Sequence, residues 1–565
     1  MNMLNLLIAT VEIALAPTGA NDRAGDVLAA VDRVRAAGGG EIRLAPGAYH
    51  FRTATKMSFY VSNHDNPLPR NVFLPVTHVT NLVLRCDGRA ELVFHGEGIA
   101  LGLQDTENVT LRGLGIDWAR PYFSEARFVR FDGGRPVLSF DPKRFPMRLD
   151  AKGGLVAVGE GWEYEPKLAQ AFDARDRAYK GGAWFSGRAD SLGAGVYRLD
   201  ADWTGKFPRP LAAGDAVVVR SGWRPNPAVH LYRARDTVLE DCVVRAAAGM
   251  GLIAQRSENV TVRGTGRAAD RTAGAFARAE TGRMTSLQAD ATHFSNCRGR
   301  IVVENCLFEG MVDDAINVHS TCLQVEAMPS PTEIRCRYRH SQSVGFEVFL
   351  PGERLRGIRG RTLEPADETV VVTEVRTLAP DLVDLTLSAP LPDGLGVGDA
   401  VENADGQPSV TFRRNIVRNS SPRATLFTTP GRVVCEENLF DHVAAQAVHL
   451  SADAWDWYES GACEDVTIRR NVFRDCLLVR GKGVIQIDPN VKDLKAQRRR
   501  YHRNVVVEEN VFEQARGPLL YARSVSNLVW RANRVTGEGG FDIDFCEGVK
   551  IDADTADGFA AADGP

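Results

Sequence analysis

Apolar residues in this chain recur in short alternating runs rather than in long amphipathic stretches. Asn108-Val109-Thr110-Leu111, Asn259-Val260-Thr261-Val262, Asp465-Val466-Thr467-Ile468 and Asn504-Val505-Val506-Val507 repeat one phrase, and alternation of this kind marks a half-buried strand. Longer versions add a second short strand after an Asn: Val303-Glu304-Asn305-Cys306-Leu307-Phe308, Phe412-Arg413-Arg414-Asn415-Ile416-Val417, Ile468-Arg469-Arg470-Asn471-Val472-Phe473 and Val507-Glu508-Glu509-Asn510-Val511-Phe512. Such an Asn can turn the chain through a left-handed backbone and, stacked coil on coil, form a side-chain ladder. Asn259 follows Asp236 by 23 residues and Asn108 follows Asn81 by 27, and either spacing suits one coil of a solenoid. One coil cannot bury its apolar face alone, so stacking must supply the core. A propeller or sandwich would instead require antiparallel hairpins at regular spacing.

One helix stands out, over residues 26 to 37. Val27, Leu28, Val31 and Val34 share a face, Asn21 and Asp22 offer cap-type side chains, and Gly38-Gly39-Gly40 ends it. The strand phrase Glu41 to Ala45 and the turn Pro46-Gly47 follow. This order resembles the start of right-handed parallel β-helix proteins of the pectin-lyase type, in which a helix covers strand edges otherwise left unpaired. Two stretches break the repeat, roughly 120–228 and 322–407, and carry strand-like runs such as Arg127 to Phe131 and Thr369 to Val372. A loop of that length without structure of its own is improbable. The expected architecture is therefore all-β: a right-handed parallel β-helix with an N-terminal capping helix and two inserted small antiparallel β-barrels. The β-helix takes 1–119, 229–321 and 408–551, the barrels take 120–228 and 322–407, and 552–565 is expected to form a frayed tail.

At 565 residues the chain is too long for one compact core, which agrees with a repeat architecture. Acidic side chains number 72 and basic ones 68, so no net field draws nucleic acid. No apolar run approaches the roughly 18 residues of a membrane span, and a soluble protein is expected. Leu4 to Ala16 is mostly apolar and ends in Ala14-Leu15-Ala16, yet it lacks a basic start and carries Glu12. A first strand is expected there rather than a leader. Cysteines follow acidic or amide residues inside the repeats, at Cys242, Cys306 and Cys476, and are expected as small buried side chains rather than bridges.

Candidate chemistry concentrates at Glu309-Gly310-Met311-Val312-Asp313-Asp314-Ala315-Ile316-Asn317-Val318-His319. Two adjacent carboxylates repel unless one keeps its proton or both find partners. Asp290 precedes Asp313 by 23 residues, about one coil, so all three carboxyls are expected on neighbouring rungs. Carboxyls one or two rungs apart can span the roughly 6.5–9.5 Å that inverting glycosidases use to admit a water. His293, Asn317 and His319 are candidates to bind sugar hydroxyls, and Trp455, Trp457 and Glu459 to form a platform and a hydroxyl acceptor. The basic run Arg498-Arg499-Arg500 is read as a solvated loop, and no P-loop or dinucleotide fingerprint is present.

Ala289-Asp290-Ala291-Thr292-His293-Phe294, Cys297-Arg298-Gly299, the stretch from Glu309 to His319, and Trp457-Tyr458-Glu459-Ser460-Gly461 followed by Asp465-Val466-Thr467-Ile468 resemble family 110 of the glycoside hydrolases, the α-1,3-galactosidases. The resemblance implies exo-hydrolysis of terminal α-1,3-linked galactose with inversion and without metal or organic cofactor. It places the catalytic carboxylates among Asp290, Asp313 and Asp314, and it implies an exported, secreted or periplasmic protein. The expected partner is a galactose-containing oligosaccharide or polysaccharide, with no nucleic acid and no membrane. Linear, fucose-branched (as in blood group B) and marine galactan substrates all fit. Two rival readings on the same fold are a calcium-dependent polysaccharide lyase, with Asp313 and Asp314 as metal ligands, and a non-catalytic glycan-binding β-helix.

Overall fold

The computed structural model describes residues 11–277, 281–514, 516–537 and 539–552. Three faces of parallel strands wind into a right-handed β-helix, with each strand hydrogen-bonded to its counterpart one coil away. One face runs through strands such as Arg235–Glu240, Glu258–Arg263 and Arg298–Glu304. The third face runs through Val229–Tyr232, Leu252–Gln255, Thr292–Ser295, Ile316–Ser330, Thr425–Phe427 and Val448–Leu450. Thr237 faces Val260 across one coil, which is the 23-residue period read in the sequence.

Repeat positions become continuous ladders inside the coil. Asn438 Nδ2 donates to Asn471 Oδ1 (2.9 Å), Asn471 to Asn510 (3.0 Å) and Asn510 to Asn533 (2.9 Å), all buried. Beside them Phe308, Phe412, Phe440, Phe473, Phe512 and Trp530 stack at centroid spacings of 4.7–6.4 Å. The left-handed turn falls on the ladder Asn's predecessor, a correction to the sequence reading: Arg414, Arg470 and Glu509 have φ of 53–55°, whereas Asn415, Asn471 and Asn510 point inward. At Asn305, in the earlier coil, the Asn itself takes the turn. The split follows from chemistry, since the inward amide must satisfy backbone groups that no water reaches. All ten cysteines are free and nine of them are buried.

The helix Ala24–Ala37 seals the first end. It buries Ala24, Val27, Ala30, Val31 and Val34, and closes on Gly38 in the left-handed conformation (φ 74°), which suits a residue without Cβ. It packs over Gly40–Leu44, and Val11–Leu15 adds a further parallel strand beside that rung. Residues 1–10 and the expected tail from 553 onward lie outside the described residues. Among the described residues no helix is long and apolar enough to cross a membrane.

Both insertions depart beside the third face. The first forms a seven-stranded antiparallel sheet between Ser124 and Arg220, with a three-stranded sheet alongside. The second continues directly from the strand Ile316–Ser330, whose outer half pairs with Glu333–Arg337 and Ala400–Asn403. Pairing then runs through Leu382–Leu387, Pro365–Ala379 and Arg354–Ile358 back to Ala400–Asn403, which closes a six-stranded antiparallel barrel. The chain returns to the helix at Ser409.

Candidate active site

Strand register on the third face brings the acidic residues together. Thr292 pairs with Ile316 and Ile316 with Thr425, so Asp290, Asp314 and Arg423 occupy one position on three successive rungs. The rung partner of Asp290 is thus Asp314, and Asp313 projects beside it. Gly310 permits the approach: its φ is 72°, and a Cβ there would sit 2.2 Å from the Met284 carbonyl. One carboxylate oxygen from each of Asp290, Asp313 and Asp314 lies within 4.8 Å of the others. This is tighter than the 6.5–9.5 Å expected from the sequence, because direct rung neighbours stand about one strand spacing apart.

Two arginines answer the three carboxyls. Arg224, from the end of the first insertion, reaches Asp313 at 2.8 Å, and Arg423 reaches Asp314 at 2.8 Å. Asp290 and Asp314 are almost wholly buried, while the Asp313 side chain keeps 17% exposure. Burial raises the Asp290 carboxyl well above the usual carboxylate range, and the neighbouring Asp313 and Asp314 push it further. Burial also lifts Asp314, to about 8, against the pull of Arg423. Burial opposes the charge on both arginines, but the carboxylates outweigh it and hold Arg224 and Arg423 cationic. A cationic Arg423 at 2.8 Å calls for an ionised Asp314, which conflicts with the raised value for that carboxyl. The charge count resolves the conflict: three carboxyls against two guanidiniums leave one excess negative charge, so the cluster retains one shared proton.

Hydrogen bonds place that proton. His319 Nδ1 faces the Ser320 carbonyl at 3.0 Å, an acceptor only, so this nitrogen carries hydrogen. When His319 Nε2 accepts from His293 Nε2 at 2.8 Å, His293 Nδ1 is left an acceptor. Burial keeps His293 well below its usual range, consistent with a neutral ring. The 2.6 Å bond between His293 Nδ1 and Asp290 Oδ2 then requires the hydrogen on Asp290, whose Oδ1 accepts the Asp314 N–H at 3.2 Å.

A cavity of about 270 Å³ opens over this floor. Asp290, Asp313, His293, Asn317, Trp457 and Glu459 line it, as do Arg224, Arg423, Asn63, Thr428 and His449. Asn317 Oδ1, Thr428 Oγ1 and His449 Nε2 are buried there without hydrogen-bond partners. Each such group costs on the order of 1–3 kcal/mol unless a ligand satisfies it. Trp457 stacks on His340 with centroids 4.0 Å apart. Glu459 accepts from Asn63 Nδ2 at 2.8 Å and lies 3.5 Å from His319 Nε2. Asp314 and His319 stand behind the cavity wall. Trp455 lies away from the cavity, 41% exposed, with its indole N–H donated to the Asn490 carbonyl. Asp453 is consumed as a turn anchor, accepting from the backbone of Trp455, Asp456, Trp457 and Tyr458.

Residues 333–401 match the family model described as GLAA-B beta-barrel domain II. Over 542 residues the chain is 42% identical to an α-1,3-galactosidase B of Akkermansia muciniphila, covering 94% of this chain and 66% of that protein. It is 34% identical to an α-1,3-galactosidase B of Parabacteroides distasonis, covering 87% of this chain and 82% of that protein. The chain belongs to the α-1,3-galactosidase family. An α-1,3-galactosidase A of Bacteroides fragilis is 29% identical over 90% of the chain. The solved exopolygalacturonase of Thermotoga maritima overlays 96% of this chain and 92% of its own at 13% identity and a TM-score of 0.40, too low to bear on the site.

Arg423 and Arg224 escaped the sequence reading. Arg423 follows Asp314 by 109 residues because the barrel intervenes, so no single-coil spacing points to it. Arg224 comes from the first insertion, outside the repeat.

Proposed function

We propose that this member of the α-1,3-galactosidase family hydrolyses terminal α-1,3-linked galactose from neutral glycans in an exo fashion, with inversion. The observation that carries this reading is the cavity itself: a proton-sharing carboxyl trio beside three buried polar groups that a sugar's hydroxyls would satisfy. Asp290 donates its proton to the glycosidic oxygen, and Asp313, paired with Arg224 as a carboxylate, takes a proton from the attacking water. The bond from the anomeric carbon to the leaving oxygen breaks as the bond to water forms. Inversion requires that water to reach the anomeric carbon from the ring face opposite the leaving oxygen. Asp314 holds Arg423 and keeps the cluster's charge balanced. Asn317, Thr428 and His449 bind hydroxyls, Glu459 accepts from one, and Trp457 offers a face to the ring.

The lyase alternative is disfavoured by charge. Arg224 and Arg423 already hold the positions around the doublet where a calcium ion would need open oxygens. The test is proton NMR during hydrolysis of a defined α-1,3-galactobioside. β-Galactose as the first anomer supports the proposal, α-galactose overturns inversion, and an unsaturated product overturns hydrolysis. Asp290→Asn and Asp313→Asn should each lower kcat by about 10²–10⁴. Activated aryl galactosides should partly restore the first variant, and added azide the second.

A further inference from the structure

A second concavity, of about 780 Å³, lies on the first insertion. Trp184 and Trp223 line it and are 68% and 62% exposed, among the most exposed large apolar side chains in the chain. Two indoles presented to solvent in one cleft are unusual for packing and are typical of a binding surface. Tyr122 and Tyr164 add further aromatic lining, their rings 5.0 Å apart.

The cleft and the catalytic cavity are separated by one residue of chain. Trp223 faces the cleft, and Arg224, its neighbour, faces the cavity and pairs with Asp313. Asp65, on the cleft wall, fixes this partition: its Oδ2 accepts the Arg224 N–H at 2.6 Å, and its own N–H donates to the Arg224 carbonyl at 3.2 Å. Cavity and cleft therefore share the wall that Trp223, Arg224 and Asp65 form. Asp65, Asp150, Glu163 and Glu165 line the cleft against Arg148 and Lys167. That acidic excess repels sulfated or uronic glycans, while the aromatic faces suit the apolar faces of neutral sugars.

We propose that this cleft binds the reducing-side sugars of a neutral oligosaccharide whose terminal galactose occupies the catalytic cavity. The proposal rests on the galactosidase reading above and adds the site that selects long substrates. Trp184 sits on the insertion's strand Tyr179–Trp184, so Trp184→Ala leaves the cavity intact.

The experiment compares kcat/KM for an aryl α-galactoside with that for a neutral tetrasaccharide ending in α-1,3-galactose. Trp184→Ala should lose about five- to ten-fold on the tetrasaccharide and less than about two-fold on the aryl substrate. Equal losses on both substrates, or no loss on either, overturn the proposal. The galactose-free trisaccharide should also quench tryptophan fluorescence in the wild type, with weaker binding in Trp184→Ala and in Trp223→Ala. Quenching without hydrolysis of either substrate supports the cleft while refuting the galactosidase reading. Absence of quenching, or quenching unchanged in both variants, refutes the cleft.

Discussion

Asp290→Asn tests the charge count in the cavity through stability as well as activity. Asparagine mimics a protonated Asp290: its amide N–H donates to His293 Nδ1, and its oxygen accepts the Asp314 N–H. Two carboxylates then face Arg224 and Arg423, and the cluster needs no extra proton. In the wild type the retained proton ties stability to pH. An unfolded Asp titrates at 3.8, whereas burial and the neighbouring Asp313 and Asp314 make the native cluster hold its proton well above that. Above 3.8 the native state binds more protons than the unfolded state, so this contribution is fully present below 3.8 and is lost as pH rises through the raised native range. While the native cluster still holds its proton, each pH unit above 3.8 removes about 1.36 kcal/mol of this contribution. The variant escapes it. Asp290→Asn should match the wild type near pH 4 and exceed it at neutral pH, by several degrees in Tm at most in a chain this long. Calorimetric unfolding of both proteins at about pH 4.5 and about pH 7.5 reads the difference. A gap in Tm that fails to widen with pH, or a wild type that is the more stable at the higher pH, refutes the shared proton.

The same proton should shape catalysis: kcat/KM holds well above the ordinary Asp range and then falls as the raised Asp290 proton is lost, and a fall already near pH 4 contradicts a cluster acid. Asn471→Ala removes bonds to Asn438, Asn510 and the Cys435 carbonyl. It should cost about 2–4 kcal/mol in denaturant unfolding with kcat unchanged, and a cost below about 0.5 kcal/mol would discount the ladder. Trp457→Ala should raise KM about ten-fold on any galactoside, whereas Trp455→Ala stays within about two-fold because that ring lies outside the cavity; the reverse ranking sinks the assignment. Exhaustive dialysis against a chelator should leave the rate unchanged, and a loss restored by calcium would revive the lyase reading.

Much of this was legible because a β-helix writes its period into the chain. The spacing from Asp236 to Asn259 predicts the coil, and the observed Thr237–Val260 pairing has that length. The acidic doublet stands out because adjacent carboxylates in an apolar setting need a reason. Three things were illegible, each for a physical cause. Register decides that Asp290 meets Asp314 rather than Asp313, and a one-residue shift is invisible to spacing alone. The left-handed turn at Arg414 and Arg470 shows that the ladder Asn is chosen for its inward amide, which propensity does not distinguish from a turn-former. Arg224 and Arg423 arrive from outside the local repeat.

The contact between Asp314 and Arg423 has a consequence for assembly order. It closes a loop of 109 residues, and closing a loose loop costs more as it lengthens, by about 0.6 kcal/mol per doubling. Once the six-stranded barrel has formed, Cys322 lies opposite Glu402 on its first and last strands, and the loop left to close shrinks from 109 residues to 29. The counter-ion of the acidic cluster is therefore delivered by the folding of a distant domain. Barrel formation thereby favours the seating of Arg423 on Asp314 by about 1 kcal/mol of loop closure, which ties the site's charge balance to a part of the chain that lines none of it.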